Sequence, residues 1–172
     1  EPTEAFVSSG RPRFDHLALS RHAVIQAPLT GEIELVRTWT EERPEFRARE
    51  DGRGSINLYR RPERHAEYVL GADPCQGIDV KSGEPGNSDP DWAVAHVIDR
   101  RTGEQVLKFR ARVQPAEFAT ILRLIGWWYN WAYIVPEANG SGLGTIEKLL
   151  ELNYPLDRFH KRRPDADQAG SR

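Results

Sequence analysis

Two short apolar runs in this chain each close on one carboxylate. The first is Tyr68-Val69-Leu70-Gly71-Ala72-Asp73 and the second is Ala132-Tyr133-Ile134-Val135-Pro136-Glu137. A charge that leaves water at the edge of a core is costly, so an acid ending each of two buried strands asks for a reason. If the strands are neighbours in one sheet, Asp73 and Glu137 converge. Converging carboxylates favour a hard divalent cation such as Mg2+. Paired Mg2+ ions suit phosphodiester hydrolysis.

Each acid also has an ordinary alternative. Asp73 would cap a turn with Pro74, and Glu137 would cap a helix starting near Gly142. Asp91 heads a further strand, where it either joins the acids or merely opens the strand. Asp79, Glu84 and Asp89 fall in a Gly/Pro/Asp/Ser-rich loop and read as solvated. Two basic clusters, Arg60-Arg61 and Lys161-Arg162-Arg163, are weak candidates for phosphate contact. The run Asn139-Gly140-Ser141-Gly142-Leu143-Gly144 precedes a helix but lacks the spacing of a nucleotide cradle. Its glycines read as allowing close backbone approach. Trp127-Trp128-Tyr129-Asn130-Trp131 reads as core, with base stacking the alternative. His96 reads as a hydrogen-bonded core histidine, and Cys75 has no adjacent base to make it a nucleophile.

The elements that would hold the acids follow from periodicity. Residues 31–61 read as a β-meander, in which Ile56 and Leu58 share one face. Strands follow at Tyr68 to Asp73, Asp91 to Asp99 and Glu104 to Val113, the last two joined by a hairpin at Arg100-Arg101-Thr102-Gly103. Gln114-Pro115-Ala116-Glu117 opens a helix with apolar Phe118, Ile121, Leu122 and Ile125. The strand ending on Glu137 comes next. A second helix carries Leu143, Ile146, Leu149 and Leu150, and Leu156 to His160 reads as a fifth strand. Three hairpin-linked strands followed by α/β alternation predict an α/β mixed sheet with flanking helices. A right-handed crossover through the first helix sets the fourth strand beside the first. That order resembles the RNase H-like five-stranded mixed sheet, here preceded by a small β-meander, and it brings Asp73 next to Glu137.

Composition narrows the class. The chain has 172 residues, 38% hydrophobic and 29% charged, with a net charge of −2. It is long enough for one domain with a real core. No run approaches the roughly 20 apolar residues of a membrane span. One cysteine excludes an internal disulfide and argues against a Cys/His zinc site. A near-neutral, slightly acidic chain must grip nucleic acid through local patches.

At these residues a family resemblance emerges. Ile56-Asn57-Leu58-Tyr59 through Asp73 resembles the start of the nuclease domain of tailed-bacteriophage terminase large subunits. So do Asp91-Trp92-Ala93-Val94-Ala95-His96-Val97-Ile98-Asp99 with its Thr102-Gly103-Glu104 turn, and Val135-Pro136-Glu137-Ala138-Asn139-Gly140 before a helix. Glu4-Ala5-Phe6-Val7-Ser8-Ser9-Gly10 looks like the family's junction between ATPase and nuclease domains. The resemblance implies a metal-dependent DNA endonuclease that cuts concatemeric viral DNA during genome packaging, by two-metal hydrolysis with Mg2+ or Mn2+. Asp73 and Glu137 would be metal ligands, assisted by Asp91. Implied partners are double-stranded DNA, the terminase ATPase domain, the small terminase subunit and the portal, in the host cytoplasm and with no membrane. Residues 1–30 would be a lead-in from an ATPase domain not in this chain, which has no G-x-x-x-x-G-K-S/T loop, and residues 31–172 the nuclease domain. The family's third ligand is an Asp well downstream. Asp165 and Asp167 follow the fifth strand too soon, so the chain is expected to stop before that ligand. Competing readings are a non-catalytic DNA- or portal-docking fragment, and another RNase H-like nuclease such as a Holliday-junction resolvase.

Overall fold

The computed structural model describes residues 28–75, 92–138 and 140–160. Their strands are β1 Leu29–Arg37, β2 Glu42–Ala48, β3 Ile56–Leu58, β4 Tyr68–Asp73, β5 Ala93–Asp99, β6 Gln105–Ala111 and β7 Tyr133–Pro136. Two helices join them, α1 Pro115–Trp128 and α2 Ser141–Glu151. All seven strands form one sheet in the order β2-β1-β3-β6-β5-β4-β7. Only β4 and β7 pair in parallel; the other neighbours are antiparallel.

The crossover through α1 sets β7 beside β4, as the alternation of elements predicts. Pro115 opens α1, where a missing N–H costs nothing. Phe118, Ala119, Leu122 and Ile125 are buried along its inner face, and Phe118 stacks on Phe109 of β6 at 5.6 Å between ring centroids. Alternate residues of the central strands, including Tyr68, Leu70, Ala72, Ala93, Ala95 and Val97, are buried on the same side. The aromatic run at the end of α1 mostly joins this core. Tyr129 is fully buried and Trp128 and Trp131 pack against it.

Two expectations about the sheet are corrected. The β-meander is not a separate unit before a five-stranded sheet. Its strand β3 pairs with β6 through Ile56↔Phe109 and Leu58↔Leu107, which extends the sheet to seven strands. Burial of Ile56 and Leu58 inside the shared core drives this merger. The expected fifth strand is a 3-10 turn at Leu156–Arg158, followed by one parallel bridge from Ile134 to Phe159. Leu156 is exposed, and only Phe159 beyond the turn is packed against the core.

α2 is also rotated from its expected stripe. Leu149 and Thr145 are fully buried, whereas Leu143 and Leu150 are exposed. The Thr145 hydroxyl reaches the Pro115 carbonyl at 3.5 Å, so a small residue sets how closely α2 approaches the start of α1. Gly126 does the same lower down: a β-carbon there would lie 2.2 Å from the Tyr154 hydroxyl. No helix among the described residues is long and apolar enough to cross a membrane.

Candidate metal centre

β4 is a core strand whose alternation points Tyr68, Leu70 and Ala72 inward. Asp73 therefore faces the opposite side of the sheet and emerges at its rim. β7 runs parallel to β4 in the register Leu70↔Ile134 and Ala72↔Pro136. The Glu137 N–H donates to the Ala72 carbonyl at 2.9 Å and continues that ladder by one rung. Glu137 is thereby seated next to Asp73. The two carboxyl groups are within hydrogen-bonding reach. That bond pushes the Glu137 carboxyl up from its ordinary range, with smaller contributions from burial and from the Asp73 charge. Both residues are exposed, so an ion or a substrate has access.

The other sequence candidates are placed differently. Asp91 and the cluster Lys161, Arg162 and Arg163 lie outside the described residues. Arg60 sits at the far end of the sheet, bonded to Asp99 at 2.6 Å and to Glu104 at 3.0 Å. Its guanidinium is thus engaged in holding the β5–β6 hairpin. Asp99 is buried there. Burial alone would push its carboxyl up, but the Arg101 and Thr102 N–H groups and the Arg60 guanidinium outweigh that and hold it below the usual carboxylate range. Arg61 lies 6.0 Å from the Phe46 ring centroid, in an open groove of about 580 Å3 with Arg43, Trp127 and Trp128. Among the described residues, no third His, Cys, Asp or Glu joins the acid pair.

Gly140 and Gly144, after Glu137, are not close-approach positions. A β-carbon at Gly140 or Gly144 would meet open space. Gly140 is instead required by its positive φ of 31° at the start of α2. His96 is not in the core. It lies half-buried on the face opposite the helices, with Nδ1 3.0 Å from Gln105 Oε1.

That face carries residues the sequence reading passed over. Asp73 pairs with Val94, and Val94 pairs with Arg110. Residues opposite one another across antiparallel strands share a face, so Glu137, Asp73, Val94 and Arg110 form one row. The next row holds Gly71, His96, Lys108 and Asn57. Trp92, just before β5, has the Arg110 guanidinium 4.0 Å and the Arg112 guanidinium 4.6 Å from its ring centroid. The signal was present in β6 and just after it, where Lys108, Arg110 and Arg112 recur at every second position.

No protein-family model matches the chain, and no curated protein matches it. Among solved structures, it is similar to the large terminase nuclease from thermophilic phage G20c. The magnesium-bound crystal structure of that nuclease is 18% identical with a TM-score of 0.49, over 68% of this chain and 56% of that one. The cobalt-bound structure is 18% identical with a TM-score of 0.48, over 68% and 55% of the two chains. This chain thus spans a little over half the length of those structures.

Proposed function

We propose that this chain is nuclease sequence of a phage terminase large subunit and acts as a Mg2+- or Mn2+-dependent DNA endonuclease. The observation that carries this reading is the side-by-side placement of Asp73 and Glu137 at the ends of parallel strands, with Glu137 raised by its neighbour. Two carboxylates this close are relieved by a shared proton or by a cation between them. An exposed, oxygen-only pair fits a hard divalent ion, so the residues present suit the metal that the sequence resemblance implies.

Asp73 and Glu137 would hold that ion, with Asp91 as an assisting ligand. When bound, it supplies Lewis acidity for activating water and for stabilising the leaving 3′ oxygen. The chain's own part is positional. The ladder between β4 and β7 sets both carboxylates side by side, where they would hold the ion. Glu137 would add a second negative charge to the ion's surroundings. Because the acids address a phosphate and no base edge, cleavage would be weakly sequence-specific. Double-stranded DNA is the substrate in this reading. The terminase ATPase domain, small subunit and portal are its partners in the host cytoplasm.

The test is plasmid nicking in Mn2+ with the chain extended through its downstream sequence. Asp73→Ala and Glu137→Ala should each abolish nicking. Unchanged rates in both variants would sink the proposal.

A further inference from the structure

We infer that Lys108, Arg110 and Arg112, with Trp92 ordering the two arginines, bind the phosphate backbone of duplex DNA and guide it to the acid pair. This inference rests on the nuclease reading and extends it to the residues that hold the substrate.

Geometry is the first support. Arg110 lies in the same row as Asp73, two strands away. Two strand spacings are about 10 Å, which is a few nucleotides along one DNA strand. Lys108 stands one row further along the same face, beside His96. A backbone whose scissile phosphate meets Asp73 and Glu137 therefore passes its neighbouring phosphates over these cations. The described helices do not obstruct it: α1 covers the opposite face through Phe118 and Phe109, and α2 packs on α1.

Charge is the second support. Several arginines elsewhere on the molecule are neutralised by carboxylates, among them Arg37 by Glu42, Arg43 by Glu41 and Glu45, Arg60 by Asp99 and Glu104, and Arg100 by Glu67. Among the described residues, Lys108 and Arg110 have no carboxylate within salt-bridge distance. Gathering two guanidiniums on one indole costs Coulomb repulsion and concentrates positive charge on this face. The indole face offsets part of the cost and limits the rotamers each arginine must give up on binding. A chain of net charge −2 needs such a local patch to hold DNA.

Fluorescence anisotropy with a labelled duplex tests this, using the whole 172-residue chain in EDTA across a salt series. EDTA blocks cleavage, so binding is read apart from catalysis. Lys108→Ala and Arg110→Ala should each weaken binding and lower the slope of log affinity against log salt by about one. Arg100→Ala removes the same charge at the other end of the sheet and should leave the slope unchanged. Trp92→Ala should bind more weakly than the unsubstituted chain and Trp92→Phe, which keeps a ring face, more tightly than Trp92→Ala, with both folds checked by circular dichroism. Wild-type slopes in Lys108→Ala and Arg110→Ala overturn the inference, as does an unsubstituted chain that fails to bind. Asp73→Asn separates the two proposals, since it should keep DNA binding in EDTA while losing nicking in Mn2+. Binding through this row, with no nicking by the extended chain of the nicking test, sinks only the nuclease reading. Nicking with unchanged slopes sinks only the present one.

Discussion

Asp73 and Glu137 stand side by side at the ends of two parallel strands, close enough to share a proton. The raised Glu137 carboxyl means that the folded chain holds this proton to higher pH than the unfolded chain does. Without metal, stability from this pair is therefore greatest at low pH and is lost as pH rises through the raised value. In the proposed site a divalent cation would take the place of the proton at neutral pH. Mn2+ should raise the melting temperature of the unsubstituted chain, increasingly with concentration. Asp73→Asn should abolish that rise, and differential scanning fluorimetry checks it. An equal rise in the variant would remove the pair from metal binding.

At the opposite end of the sheet, Asp99 and Arg60 should produce the reverse pH response. Asp99 is held below its ordinary pKa, so its contribution is full above the unfolded value of about 4. It is lost as pH falls through the lower folded value. Acid unfolding followed by circular dichroism should start at higher pH in Arg60→Ala, because Asp99 then stays buried with one partner fewer. An unchanged acid transition would show that the pair is not coupled to folding.

Gly126→Ala sets two opposing effects against each other. Helix propensity favours alanine by about 1 kcal/mol. The added carbon, however, would lie 2.2 Å from the Tyr154 hydroxyl. Tyr154 is buried and its hydroxyl donates to the Ala132 carbonyl at 2.5 Å, so it has no free space to swing into. Overpacking of this kind costs about 1–3 kcal/mol, and the variant should unfold at lower urea concentration. Adding Tyr154→Phe should recover part of the loss.

Tyr129→Phe tests how the core is tied to the outer loop. The Tyr129 hydroxyl donates to the Arg60 carbonyl at 2.6 Å, and burial drives its pKa far above the ordinary tyrosine value. Losing that bond should cost about 1 kcal/mol in urea denaturation. The titration of this tyrosine should also be missing from the ultraviolet spectrum until the chain unfolds in alkali.

The acid pair was legible because its causes are local. Alternation in Tyr68 to Asp73 and in Tyr133 to Pro136 marks the strands, and helix periodicity between them marks the crossover. What escaped was set by non-local packing. β2 was hidden because Pro44 and its many charges resemble a loop, yet an edge strand tolerates both. α2 turned Leu143 and Leu150 outward because Thr145 and Leu149 fit against α1, a choice made by the partner helix. The basic spacing of Lys108, Arg110 and Arg112 was visible along β6 and the residue after it, but its relation to Asp73 was not.

By itself, the sequence determined that two strands end in acids and that a helix carries the chain between them, because side-chain periodicity is a property of a few adjacent residues. Only the tertiary structure decided that Arg110 shares a row with Asp73. That relation depends on register across three strands and on the irregularity between Val97 and Ile98. A slip of one residue at either pairing would have turned the cations to the other face.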